Sequence, residues 1–278
     1  MSNFLFDCME NNQPVVMGIL NTTPDSFSDG GRFVSIDTAT ARAMEMLHEG
    51  AQIIDVGGES TRPGAHEVSA SDEIQRVVPV IRAIRKQSDV CISIDTNKPD
   101  VMRAAVNAGA NLINDVNALQ AGGALETCAE LGVPVCVMHM QGEPRTMQQN
   151  PVYKDVVNDI KQFLQQRIDA CVAAGIDGDK IIIDPGFGFG KTLQHNLQLL
   201  GRLDEFRSLG VPILAGLSRK SMLGAILGDV PTEQRLHASV AAAVLAWTKG
   251  ASIFRVHDVK ATVDALKVCA AMQAVMPA

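Results

Sequence analysis

The sequence predicts an α/β protein folded as a (β/α)8 TIM barrel, a closed ring of eight parallel strands inside a ring of helices. Three observations carry the prediction. Eight short apolar runs rich in Val and Ile recur along the chain, each followed by a polar loop and an amphipathic stretch. The runs are nearly continuous in hydrophobicity, as strands covered on both faces must be. The length, 278 residues, suits one such barrel, which takes about 250.

The strand candidates are VVMGIL (15–20), AQIIDVG (51–57), VCISID (90–95), ANLINDV (110–116), VPVCVMH (133–139), KIIID (180–184), VPILAGL (211–217) and ASIFRVH (251–257). Helical spacing marks 38–49, 71–86, 155–174 and 232–249. The stretch at 71 opens with Ser-Asp-Glu, a helix-start signal. Gly50, Gly109, Gly132 and Gly250 stand just before the next strand, where a helix exits through a left-handed residue. An open doubly wound sheet shows the same alternation; the strand count and the length favour the closed form. The whole chain, 1–278, reads as a single domain, with residues 1–13 an extra segment at the barrel bottom.

Bulk properties exclude several classes. With one Trp and one Tyr, the core must be aliphatic. A net charge of −7 argues against nucleic acid and anionic membranes as partners, so an anionic substrate needs a local basic cluster. The six cysteines form no C-x-x-C pair and have no His cluster beside them, which removes zinc and disulfide frameworks. Cys91 and Cys136 lie in apolar runs and read as reduced core residues. The first ten residues carry no Lys or Arg, unlike a secretory signal. No uncharged apolar run reaches the ~18 residues that span a bilayer. A cytoplasmic location is expected.

In such barrels the chemistry sits at the C-terminal ends of the strands. Those ends carry Asn21; Asp55, followed by Glu59, Thr61 and Arg62; Asp95; Asn114 and Asp115; His139; Asp184; Ser218, Arg219 and Lys220; and Arg255 with His257. One polar residue at a strand end says little, because strand ends meet water. Eight ends of this kind, several within apolar sequence, ask for a ligand, since a buried polar group without a partner costs about 1–3 kcal/mol. The Asp and Asn groups on strands 3, 4 and 6 suit the N–H edge of a flat heterocycle, as a carboxylate suits a guanidinium fork. The cations Arg62, Lys220, Arg255 and His257 concentrate elsewhere and suit phosphate oxygens. The expected ligand has a base-like head and a phosphorylated tail. Asp55 reads as part of a buried network beneath the site. His139 is either a satisfied structural histidine or a catalytic one.

Two loops, NTTPDSFSDGGRFVS after strand 1 and GESTRPGAHEV after strand 2, are long for a compact barrel and read as lids or binding loops. DPGFGFGKT (184–192) looks like a phosphate-binding P-loop but is one residue short between its glycines, and Lys191 stands where a dinucleotide fingerprint needs Gly. Both nucleotide motifs are rejected. The loop is expected to give close backbone approach beside Asp184, with Phe187 or Phe189 as an apolar wall.

MGILNTTPDSFSDGG (17–31), IIDVGGESTRPGA (53–65), ISIDT (92–96), INDV (113–116), DPGFGFGK (184–191), SRKS (218–221) and RVHDV (255–259) resemble the signature segments of the dihydropteroate synthase family of pterin-binding barrels. The resemblance runs from about residue 14 to 270. It implies a folate-pathway transferase that joins para-aminobenzoate to 6-hydroxymethyl-7,8-dihydropterin diphosphate, giving 7,8-dihydropteroate and pyrophosphate by a dissociative substitution. Carried over, Asp95, Asn114, Asp184, Lys220 and Arg255 hold the pterin. Asn21, Thr61, Arg62, Arg255 and His257 hold the diphosphate, with Mg2+ on it and Asn21 as its protein ligand. Phe27, Arg62, Pro63, Phe189, Lys220 and Ser221 line the aminobenzoate pocket, and Asp95, Asp184, Lys220, Arg255 and His257 carry the catalysis. The resemblance also implies a homodimer, for which the Ala-rich helix near 237–247 is one candidate surface. The uninterrupted RPGA stretch implies sulfonamide susceptibility. Two other readings stay open: a methyltetrahydrofolate:corrinoid methyltransferase, which has no diphosphate to bind, and a non-catalytic pterin-binding protein.

Overall fold

The computed structural model describes residues 13–22, 32–60, 67–142 and 146–275, with the side chains of 32–35 excepted. In chain order the elements are β1 (Val15–Asn21), α1 (Arg32–His48), β2 (Ile53–Gly57), α2 (Ala70–Arg85), β3 (Cys91–Asp95), α3 (Pro99–Ala108), β4 (Leu112–Asp115), α4 (Ala124–Leu131), β5 (Val135–Met138), α5 (Val156–Ala173), β6 (Ile181–Asp184), α6 (Leu193–Gly201), β7 (Leu214–Ala215), α7 (Ser221–Ile226), α8 (Leu236–Thr248), β8 (Ile253–Val256) and α9 (Val259–Gln273). The strands pair in parallel in the order β6-β5-β4-β3-β2-β1-β8-β7. A parallel bridge from Ile183 to Ile213 joins the two ends. The sheet therefore closes into the expected barrel.

Local chemistry sets the element ends. Asp155 caps α5 by accepting from the N–H groups of Val157 and Asn158, satisfying donors that the helix itself cannot. The cap of α2 is Ser69, two residues before the expected start, and its Oγ accepts from Asp72 N at 3.1 Å. Helix α1 begins at Arg32 instead of 38 and absorbs the end of the first long loop. Strand β7 keeps two residues of the seven-residue apolar run at 211–217; Pro212, without an N–H, stands just before it. Gly50, Gly109, Gly132 and Gly250 all have positive φ. The N-terminal segment 1–12 lies outside the described residues.

Two shells of apolar contact hold the barrel. Outward-facing strand residues such as Ile54, Ile92, Ile113 and Ile183 pack on the helices in one continuous core. Inside, Val15, Met17, Ile53, Leu112, Cys136, Ile182, Leu214 and Ile253 form a separate buried plug, with Cys91 packed against it. Side chains on one face of a strand recur every second residue. Two residues beyond that plug lie Ile19, Asp55, Ser93, Asn114, Met138, Asp184, Gly216 and Arg255. The next inward ring is therefore largely polar, and it forms the floor of a site at the C-terminal rim. Helix α8 buries Ser239, Ala242, Ala243 and Ala246 against the barrel, while Ala241 is exposed. Cys136 is fully buried in the plug, whereas Cys91 is only half-buried at the N-terminal end of β3. No helix among the described residues is long and apolar enough to cross a membrane.

Candidate active site

Five members of the polar ring, Asn114, Met138, Asp184, Gly216 and Arg255, line one pocket, together with Val116, Phe187, Phe189 and Lys220 from the loops above. Asp184 ends β6; its Oδ1 accepts from Gly186 N at 2.7 Å, and its Oδ2 lies 3.7 Å from the position a Cβ on Gly216 would take. Lys220 caps α7 and carries its Nζ 4.1 Å above the Phe189 ring. The pocket thus offers an amide, a carboxylate and two cations between aromatic and aliphatic walls.

Arg255 is committed to carboxylates. Its Nε donates to Asp55 Oδ2 and its Nη2 to Asp95 Oδ2, each at 2.6 Å. Asp55, fully buried, also accepts weakly from Asn114 Nδ2 at 3.4 Å, so it is the network residue beneath the site that the sequence suggested. Asp55 Oδ1 and the paired Ser93 Oγ are buried with no hydrogen-bond partner among the described residues. Burial pushes the Asp95 carboxyl up to about 7 against the pull of Arg255, and it raises Asp184 despite the Gly186 N–H and the nearby lysines. Burial opposes the charge on Arg255, yet Asp55 and Asp95 hold its pKa above the ordinary arginine value. Burial also draws Lys220 down to about 8, with Asp184 opposing. Such shifts from burial and paired charge, gathered in one cleft, mark functional sites. The sequence separated acids from cations; the structure corrects this, since Lys220 and Arg255 share the pocket with Asp184 and Asn114.

Other predicted residues fall around this centre. His257 follows β8, with its Nδ1 3.0 Å from Ser218 Oγ and its N–H donating to the same oxygen at 3.1 Å. Ser221 is the exposed first residue of α7 beside Lys220. Asn21 ends β1, and its Oδ1 and Asp95 Oδ2 both come within 4 Å of where a Cβ on Gly57 would lie. Phe27, Thr61, Arg62 and Pro63 lie outside the described residues. Asp115 is structural: it accepts from the N–H groups of Asn117 and Leu119 at 2.7 and 2.8 Å, steadying a turn in which Ala118 and Leu119 both have positive φ.

His139 is structural too. It is buried at the end of β5, with its Nδ1 3.0 Å from Lys191 Nζ, and burial draws its pKa down to about 3. Lys191 is the residue that sequence reasoning passed over. It was counted only as a failed motif position, yet its side chain is buried inside the 186–190 loop. Met138 and Val116 were also missed as lining; the period of two from Cys136 would have found Met138.

A barrel rim with this donor and acceptor set defines a pterin-binding barrel enzyme. The chain belongs to the pterin binding enzyme family, which it matches over residues 17–257, and within it to the dihydropteroate synthases. It is 58% identical over 261 residues to dihydropteroate synthase from Haemophilus influenzae, covering 94% of each chain. The solved dihydropteroate synthase of Yersinia pestis, in a sulfonamide drug complex, is 53% identical with a TM-score of 0.91, covering 95% of this chain and 96% of that one. The enzyme of Xanthomonas albilineans, solved with 4-aminobenzoic acid, is 52% identical with a TM-score of 0.90, covering 96% and 95%. These matches support the synthase reading and give none to the corrinoid methyltransferase.

Proposed function

We propose that this site condenses 6-hydroxymethyl-7,8-dihydropterin diphosphate with para-aminobenzoate, the reaction of a dihydropteroate synthase, with the pterin on the polar ring. The observation that carries the reading is the joint lining of one rim pocket by Asn114, Asp184, Lys220 and Arg255 above a buried, mainly aliphatic plug. Asp184 and Asn114 accept from and donate to the pterin edge. Lys220 meets the ring carbonyl and N5. Asp95 acts through its bond to Arg255 and as a nearby acceptor. His257, Asn21 and the second-loop residues Thr61 and Arg62 take the diphosphate. Phe189, Lys220 and Ser221, with Phe27 and Pro63, form the aminobenzoate end.

The C–O bond to the diphosphate breaks first, and its electron pair leaves with pyrophosphate. Ring electrons stabilise the remaining CH2 cation beside Asp95 and Asp184. The aniline nitrogen then forms the C–N bond and passes its proton to the departing pyrophosphate or to water. Fixed charges of this kind are often the largest catalytic contribution. Among the described residues no cluster of three His, Cys, Asp or Glu side chains offers a complete metal cage. The rim nevertheless fits Mg2+, because Asn21 Oδ1 and Asp95 Oδ2, both within 4 Å of where a Cβ on Gly57 would lie, are hard oxygen donors, and magnesium keeps few protein ligands while binding phosphate and water. When bound, Mg2+ would neutralise charge on the leaving diphosphate.

The chain acts as a single cytoplasmic domain on this reading. A homodimer would use the exposed Leu245, Val268 and Met272, with the exposed Ala241 on the same helix as Leu245. The test of the function is pyrophosphate release from the purified protein on addition of both substrates with Mg2+. Pterin binding without pyrophosphate release defeats the synthase assignment.

A further inference from the structure

We propose that Lys191 is a positioning residue that staples the 186–190 loop, and through it the Phe187–Phe189 wall of the site. The inference rests on the aminobenzoate end lying against Phe189. In the P-loop that this segment resembles, the lysine faces a bound phosphate. Here the side chain folds back onto its own loop. Its Nζ donates to Gly186 O at 2.8 Å and Phe189 O at 3.0 Å, and lies 3.0 Å from His139 Nδ1. His139 O also lies 3.4 Å from Nζ, so the three N–H donors of the head group are shared among four acceptors. A neutral His139 with its ring proton on Nε2 completes the set.

The path of the loop explains why a staple is needed. Gly186, Gly188 and Gly190 have φ of 72°, 80° and 63°, a left-handed series that little but Gly tolerates. A Cβ at Gly186 would fall 1.9 Å from His139 O, so the loop is pressed onto the end of β5. Carbonyls turned by such a path must find donors. Gln148 Nε2 donates to Gly188 O at 2.5 Å and Tyr153 OH to Gly190 O at 2.8 Å. Lys191 takes two carbonyls at once and ties them to β5 through His139. The Phe189 ring, carried on one of these residues, is the surface on which Lys220 rests. A loosened loop would therefore displace an aromatic wall of the site, while the backbone of Lys220 stays fixed at the start of α7. The backbone of Asp184 is held by its pairing with Met138 in the barrel, and its Oδ1 is a further tie to the loop through Gly186 N.

The staple predicts a split between the substrates. In Lys191→Met, the KM for aminobenzoate should rise about tenfold or more, the effect of some 1.4 kcal/mol, while the Kd for the pterin diphosphate, measured by calorimetry, changes much less. Tyr153→Phe removes one outer tie and should move the aminobenzoate KM in the same direction by a smaller factor. Calorimetric titration of aminobenzoate into the pterin-loaded protein gives the same ratio without turnover. Folded Lys191→Met protein with a lowered melting temperature and an unchanged aminobenzoate KM and affinity overturns the proposal, because a merely structural lysine behaves that way. If Lys191→Met does not fold, Tyr153→Phe decides, and an unchanged KM there overturns it. Parent protein without condensation counts against the reaction, whereas a parent-to-variant ratio of one counts against the staple.

Discussion

Replacing Asp184 by Asn isolates one oxygen of the site. The two carboxylate oxygens have different duties. Oδ1 accepts from Gly186 N at 2.7 Å and anchors the loop; Oδ2 lies toward Gly216 and the pocket. An Asn that keeps its oxygen on Gly186 N must turn its NH2 toward the pterin donors, so a hydrogen bond becomes a donor–donor contact. Hydrogen bonds to charged groups contribute about 1.5–3 kcal/mol, which is roughly a 10- to 150-fold loss of affinity at 1.4 kcal/mol per decade. The fold should survive, because the isosteric change preserves the loop anchor. The assay is calorimetric titration of a pterin analogue into parent and variant, with melting curves as the control. A pterin affinity unchanged within twofold, in a variant that melts like the parent, refutes the assignment of Asp184 to the pterin edge.

Arg255→Met leaves Asp55 and Asp95 buried without their common cation, and breaking such a set costs about 3–5 kcal/mol; urea unfolding reads the loss, and a loss below ~1 kcal/mol contradicts the network. Gly186→Ala combines a left-handed φ of 72° with a Cβ 1.9 Å from His139 O, so destabilisation of at least about 3 kcal/mol is expected, and a variant that melts with the parent rules out the close approach. His139 is held neutral, with a pKa near 3 in the fold against an ordinary 6.5. Its contribution is present in full above pH 6.5 and is lost as pH falls through 3; a His139→Gln variant should show a shallower decline of urea midpoint over that range, and parallel curves contradict the buried neutral imidazole.

The strands were legible because burial on both faces leaves an almost unbroken apolar signal. Their ends were less so. The run 110–116 shortens to Leu112–Asp115, since apolar residues flanking a strand pack as well as those in it. Asp95, Asn114, Asp184 and Arg255 were readable as site residues from two rules, the strand end and the apolar context. The tie between Arg255 and Asp55 was not, because it joins residues 200 positions apart and depends on the barrel bringing β8 beside β1, one strand away from β2. Lys191 was hidden for a different reason. A Gly-rich loop ending in lysine has the same local appearance whether its cation faces a phosphate or its own carbonyls. Tertiary packing against His139 makes the choice.

Charge in the site explains how a rigid pocket can favour a transient cation. On the pocket floor the carboxyl groups of Asp55, Asp95 and Asp184 outnumber the cations of Arg255 and Lys220 by one, with the buried Lys191 behind the loop opposing that excess negative charge. Burial makes that charge unfavourable, and the upward shifts of Asp95 and Asp184 are the sign of it. A neutral pterin relieves little of this penalty. A pterin-CH2 cation relieves much more, because it supplies the missing positive charge at short range in a poorly screened space. The stabilisation is therefore larger for the transition state than for the bound substrate, which is the condition for a faster chemical step. Arg255, fixed by its hydrogen bonds to Asp55 and Asp95, acts on Asp184 only through space. The network beneath the floor thus preserves the unbalanced charge until the reaction provides its counterpart.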